Sequence, residues 1–266
     1  MALITSQQLA NYYERFLNID VTFNKQVAKA IGLRPQETFL RCLGNQWPSV
    51  IFSSSMTGAK IIANIKSDLH IRIREANNLV SLRFSFDQQD KSDSLAFFVS
   101  AKVTGLSPYS NDRDDLNFLT LTYTQRPSDD LIAILGTLLE ANINSKKRKE
   151  ERIEINVDSI RKLGFRSKDG SLFIEEKPIK CLIRDVSFSG ARLIVPGAEK
   201  GLLEKDAKLR IESEDDREVF LLRGKVIRFE EVQDRTDIGI IAMLFSEDGV
   251  PMEYKMRLNN YLVSVR

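Results

Sequence analysis

The sequence predicts a mainly β protein with flanking helices, built as two tandem antiparallel split β-barrels, each followed by a helix. Three observations carry this expectation. From Thr38 onward, short runs rich in β-branched and aromatic residues alternate with polar or glycine-containing breaks, which is the pattern of antiparallel barrels. Each series of runs ends in an amphipathic helical stretch. The second half of the chain also repeats the first: Ser-Met-Thr-Gly-Ala-Lys-Ile-Ile at 55–62 aligns with Ser-Phe-Ser-Gly-Ala-Arg-Leu-Ile at 187–194, and 97–103 aligns with 220–226. Any two apolar strands resemble one another, but the shared Ser-x-x-Gly-Ala-basic core at matching places lifts the repeat above that background.

In chain order, Leu9, Tyr12, Tyr13, Phe16 and Leu17 recur at helical spacing after the capping candidates Thr5 and Ser6, and a second short helix is expected from about Asn24 to Ile31. Strands are expected at 39–43, 49–53, 59–65, 70–74, 80–86, 95–103 and 118–124. Pro127-Ser-Asp-Asp130 then caps a helix that lines up Leu131, Ile132, Leu135, Leu138 and Leu139 and runs out at Ala141-Asn-Ile-Asn-Ser145. Strands resume at 153–157, 172–175, 179–184, 191–195, 208–212, 220–229 and 238–245. Pro251 opens a closing helix carrying Tyr254, Leu258, Tyr261 and Leu262. The expected domains are 1–141, 142–152 as a basic hinge, and 153–266; the length of 266 residues suits two cores.

Composition narrows the function. The start of the chain has no basic segment followed by an apolar run, so a cytoplasmic protein without membrane insertion is expected. A net charge of +2, from 39 basic and 37 acidic residues, is too small to imply wholesale affinity for nucleic acid or membrane. The two cysteines, Cys42 and Cys181, read as reduced core residues. The single histidine, His70, sits in an alternating run and leaves zinc chemistry and histidine catalysis without their usual groups. A phosphate-binding Gly-x-x-x-x-Gly-Lys loop and a Gly-x-Ser-x-Gly nucleophile elbow are both missing, and the acids cluster in turns such as 212–217. Neither catalytic residues, nor a metal site, nor a cofactor is expected.

Two stretches stand out instead. Ser145–Arg152 reads Ser-Lys-Lys-Arg-Lys-Glu-Glu-Arg and places Arg148 and Arg152 four apart, on one side of a helical turn or on an extended segment that orders around a ligand. Asp185-Val-Ser-Phe-Ser-Gly190 supplies a carboxylate, a hydroxyl and a glycine at spacing Asp-x-Ser-x-x-Gly. In this order, ahead of strands at 191–195 and 239–245, they resemble the signature of the PilZ family of cyclic di-GMP receptors. The resemblance covers about 146–266. With a motif-less barrel in front, the whole chain is similar to the two-domain PlzA type and, more loosely, to the flagellar-brake YcgR type.

That resemblance implies a receptor and not an enzyme, with cyclic di-GMP held by Arg148, Arg152, Asp185, Ser187 and Gly190; Lys147, Ser189 and Arg192 are further candidates. The chemistry agrees with it. Arginine grips phosphate or the guanine O6/N7 edge with a planar fork and stacks on bases, and a carboxylate accepts from guanine N1–H and N2–H together. Serine adds a short hydrogen bond, and glycine permits close backbone approach. Such receptors change contacts with a downstream protein partner in motility, virulence or related processes, here by rearranging the two domains about the basic hinge. A nucleic-acid-binding protein using the Lys146–Lys149 arm is the alternative reading. The first barrel is expected to lack the site, because position 53 holds serine where the repeat has Asp185, and because no arginine pair at four-residue spacing precedes it, Arg34 and Arg41 being too far apart.

Overall fold

The computed structural model of the chain describes residues 4–65, 69–88, 94–110, 113–197, 200–214, 218–232 and 235–265. They divide into two compact units, Met1–Leu139 and Glu140–Arg266.

The first unit opens with α1 (Ser6–Arg15), whose start is fixed by a capping box between Thr5 and Gln8. There follow β1 (Val21–Thr22), α2 (Lys25–Ala30, capped by Asn24), β2 (Phe39–Cys42), β3 (Asn45–Ser54), β4 (Gly58–Asn64), α3 (Leu69–Glu75), β5 (Leu79–Phe86), β6 (Leu95–Ser110) and β7 (Arg113–Tyr123). Strands β3, β2, β5, β6, β7 and β4 run antiparallel around a ring that closes where β4 pairs with β3, and β1 adds to β3 outside it. Helix α4 (Asp129–Lys147) comes next, with all five leucine and isoleucine positions of its expected apolar face buried.

The second unit repeats this plan strand for strand. It contains β8 (Ile153–Glu154), α5 (Val157–Leu163), β9 (Phe165–Ile174), β10 (Lys177–Val186), β11 (Gly190–Pro196), β12 (Asp206–Ser213), β13 (Val219–Val232), β14 (Arg235–Phe245) and α6 (Met252–Ser264). The ring is β10, β9, β12, β13, β14, β11, closed by β11 on β10, with β8 added to β10. Each strand thus takes the place of one in the first unit. The register agrees with the sequence repeat: Gly58 pairs with Thr122 and Gly190 with Leu244, and Phe98 pairs with Arg83 as Leu221 does with Arg210. Tyr254, Leu258 and Leu262 of α6 are buried in the core of this barrel. Cys42 and Cys181 are free and buried, and burial pushes the Cys181 thiol up to about 12, which keeps it protonated and inert.

The structure departs from the sequence-based expectation at several points: β6 runs on to Ser110, β7 begins at Arg113 and β8 ends at Glu154, and four further differences concern helices and β9. His-Ile-Arg-Ile-Arg at 70–74 is helix α3 and not a strand; the pattern that decides is Leu69 and Ile73, buried four apart, while Ile71 is 61% exposed. Helix α4 continues through Lys147, past the asparagines that looked like its end. Helix α5 was not expected at all, although Asn156 and Ser159 form a capping box at its start. Strand β9 begins at Phe165, seven residues before its apolar end suggested. Of the acidic turn at 212–217, positions 215–217 lie outside the described residues. Among the described residues, no helix is long and apolar enough to cross a membrane.

Candidate functional site

The site is organised by one irregularity in β10. Residues Cys181 and Ile183 point into the barrel, and simple alternation would send Asp185 in after them. The pairing of β10 with β11 slips at Arg184 instead: Ile183 faces Leu193, and the next pair is Asp185 with Arg192. This bulge turns Asp185 to the outer face beside Arg192 and returns Val186 to the core.

The other edge of β10 at this point is occupied by β8, which pairs Ile153 with Val186 and Glu154 with Asp185. The residue before it, Arg152, therefore arrives from the opposite side to Arg192. Arg152 Nη1 donates to Asp185 Oδ1 at 2.5 Å and Arg192 Nε donates to Oδ2 at 2.5 Å. The carboxylate is clasped on both oxygens, with its side chain 5% exposed, while the two arginine side chains are 34% and 39% exposed. Charge-assisted bonds of this kind are the strong class.

Arg148 follows α4 directly. Its backbone N–H donates to the Asn144 carbonyl at 2.8 Å, and Glu151 N–H donates back to the Arg148 carbonyl at 3.1 Å. The segment between the two arginines is thus a tight turn, neither a continued helix nor an extended strand, and Ser189 pins it by donating from Oγ to the Lys149 carbonyl at 2.8 Å. The Arg148 side chain is largely covered, with only a 3.9 Å approach of Nε to Glu151, and its Nη1 is buried without a hydrogen-bond partner among the described residues. Such an orphaned donor costs about 1–3 kcal/mol, a cost that an anionic acceptor brought by a ligand would remove. Lys147 is exposed at the end of α4.

Ser187 and Gly190 have a different character. Ser187 is fully buried; its N–H donates to the Gly190 carbonyl at 2.8 Å, and its Oγ accepts from the N–H of Gly190 at 3.1 Å. A Cβ on Gly190 would stand 2.3 Å from the Met243 carbonyl oxygen of β14. Both features recur in the first barrel. Ser55 N–H donates to the Gly58 carbonyl at 2.8 Å, and a Cβ on Gly58 would stand 2.4 Å from the Leu121 oxygen. The serine and glycine build the same turn in both barrels. The first barrel also has the bulge, which pairs Ser53 with Lys60, but there the cation lies 4.1 Å from the ring centre of Phe118.

The structure thus brings Arg152, Asp185 and Arg192 into contact, and Ser189 ties the Arg148–Arg152 turn to them. Arg192, a further candidate in the sequence and the basic residue of the repeat, is brought to Asp185 by the bulge.

Comparison with known proteins accords with this division. Residues 7–142 match the PilZN3 domain and residues 146–262 the PilZ domain. A cyclic di-GMP binding protein of Treponema denticola is 45% identical over 266 residues, covering 100% of this chain and 85% of that protein. Among solved structures, the PlzA protein of Borreliella burgdorferi in complex with c-di-GMP is 25% identical, with 96% of this chain and 98% of that one covered and a TM-score of 0.44. YcgR of Escherichia coli in complex with c-di-GMP is 12% identical, with 91% and 87% covered and a TM-score of 0.28.

Proposed function

The chain belongs to the PilZ family, as a PilZN3 domain followed by a PilZ domain, and from that premise we propose that it is a cytoplasmic cyclic di-GMP receptor whose second barrel holds the ligand. The observation that carries this reading is the asymmetry between the barrels. Both keep the Ser-x-x-Gly turn and the bulge beside it, and among the described residues the second sets at that bulge a carboxylate clasped by two arginines, with an arginine nearby whose donor is buried and unpaired. Arg148 and Arg152 supply the groups for phosphate and the guanine O6/N7 edge, and Asp185 the acceptor for N1–H and N2–H. Arg192 holds the Asp185 carboxylate in place from the β11 side. Ser187, Ser189 and Gly190 act through the turn, and Lys147 stands next to Arg148 at the rim.

Binding draws Arg152 or Arg148 toward the ligand and so moves the turn that follows α4. Because that turn follows directly on α4, the helix that starts in the first unit and ends in the second, its displacement is the step by which the ligand would alter the domain arrangement and the contacts with a downstream protein in motility, virulence or related processes. The alternative, nucleic-acid binding through the basic arm, is weakened by the placement of Lys146 and Lys147 in the last turn of α4, where cations complement the helix dipole.

Calorimetric titration of cyclic di-GMP into the full chain and into the Arg148→Ala, Arg152→Ala variant tests the reading. Saturable binding that is lost in the variant is expected, because each charge-assisted contact contributes about 1.5–3 kcal/mol, or roughly ten- to a hundredfold. A folded parent chain that did not bind would sink it.

A further inference from the structure

Resting on that receptor reading, we infer that α6 is the frame that sets Arg148 against the rest of the site, and that Asn259 is its positioning residue. Asn259 is 1% exposed, on a helix that otherwise gives Tyr254, Leu258 and Leu262 to the core. A buried carboxamide must engage both its acceptor and its donors. Asn259 does so with two residues of one helix, α4: its Oδ1 accepts from Asn144 Nδ2 at 2.6 Å, and its Nδ2 donates to Glu140 Oε2 at 3.5 Å. Glu140 and Asn144 are four apart and share one face of the last turns of α4.

The next step along the chain reaches the site. The Asn144 carbonyl accepts the backbone N–H of Arg148 at 2.8 Å, so the residue that Asn259 clasps is the one from which Arg148 hangs. The same helix reaches the other motif from behind. Tyr254, fully buried, donates its hydroxyl to the Ser187 carbonyl at 3.1 Å. Apolar contacts alone let a helix slide or rotate by fractions of a turn, whereas directed hydrogen bonds in a dry interior accept one register. The side-chain hydrogen bonds of Asn259 and Tyr254 go to Asn144, Glu140 and Ser187 and to none of the charged site groups among the described residues, yet through Asn144 and Ser187 they fix the separation between the arginine turn and the Asp-x-Ser-x-x-Gly turn.

The test uses the full chain and cyclic di-GMP. Asn259→Ala is expected to weaken binding about tenfold, the size of one misaligned charge-assisted contact. In an Arg148→Ala background the same change is expected to cost nothing further, and in an Arg192→Ala background to keep its full effect, because it acts through Arg148 alone. Equal losses in both backgrounds, or unchanged affinity in a folded Asn259→Ala chain, overturn the proposal. Asn144→Ala removes the clasp from the α4 side with a strong helix former and is expected to reproduce the pattern; if neither variant folds, the pair serves stability and the positioning role is rejected. Hydrogen exchange of the ligand-free chain separates this inference from the receptor reading. Should the parent chain bind no cyclic di-GMP, the clasp still predicts faster exchange over residues 144–152 in Asn259→Ala with β12 and β13 unchanged, and unaltered exchange there overturns it.

Discussion

The first and second barrels use one construction and differ at a few side chains, which separates what the fold needs from what a ligand needs. Each has six strands in a closed ring, a short added strand, a bulge in the long strand that carries it, and a Ser-x-x-Gly turn with the same 2.8 Å hydrogen bond. At the outer position beside the bulge, the first barrel places Ser53 and the second Asp185. The cation across the strand pair then turns to aromatic rings in one case and to a carboxylate in the other. Half of the motif that resembles a binding signature is therefore architecture, and the part that distinguishes the two barrels is the acid with its arginines.

The strongest way to break that comparison is Asp185→Ser, which gives the second barrel the residue of the first. The chain is expected to stay folded, since Ser53 is accommodated beside an identical bulge, and to lose cyclic di-GMP affinity by at least about a hundredfold in calorimetry. Retained affinity would place the ligand elsewhere. Next come the two glycines. Gly190→Ala and Gly58→Ala each drive a methyl into a backbone carbonyl, and each is expected to cost about 1–3 kcal/mol in chemical denaturation, alike in the two barrels. A Gly190→Ala chain that lost affinity at full stability would return that glycine to the ligand.

A smaller effect is expected from Arg192→Lys, which imitates Lys60. Lysine lacks the Nε–H that meets Asp185 Oδ2, so binding is expected to weaken about tenfold while the melting transition barely moves. The smallest concerns the barrel wall. The hydroxyl of Ser49 is buried without a partner among the described residues, at the position that Cys181 takes in the second barrel. Ser49→Cys is expected to stabilise the first unit by about 1 kcal/mol, read from the fluorescence of Trp47, the chain's single tryptophan. A lowered midpoint would mean that the hydroxyl has a partner after all.

Much of this was legible in the linear chain for reasons of short range. Alternating apolar runs marked most strands, and the caps at Thr5 and Asn24 marked the first helices. Where local reading failed, a distant partner had changed the local rule. Asn142 and Asn144 looked like a helix end because free asparagine side chains compete for the backbone; Asn144 does not, since its amide is spent on Asn259, over a hundred residues away. The alternation at 70–74 looked like a strand until Leu69, just before it, was found buried with Ile73.

The sequence by itself determined that there are two related barrels, that only the second carries the arginine pair and the acid, and that serine replaces that acid in the first. Those are matters of identity and order, which a chain states directly. Only the tertiary structure decided that Asp185 faces outward, that β8 and β11 bring an arginine to each of its oxygens, and that α6 bonds to Asn144 in the last turns of α4. The physical reason is that a β-bulge and a buried amide pair belong to two segments at once: each is set by the register of strands or helices that meet only after folding.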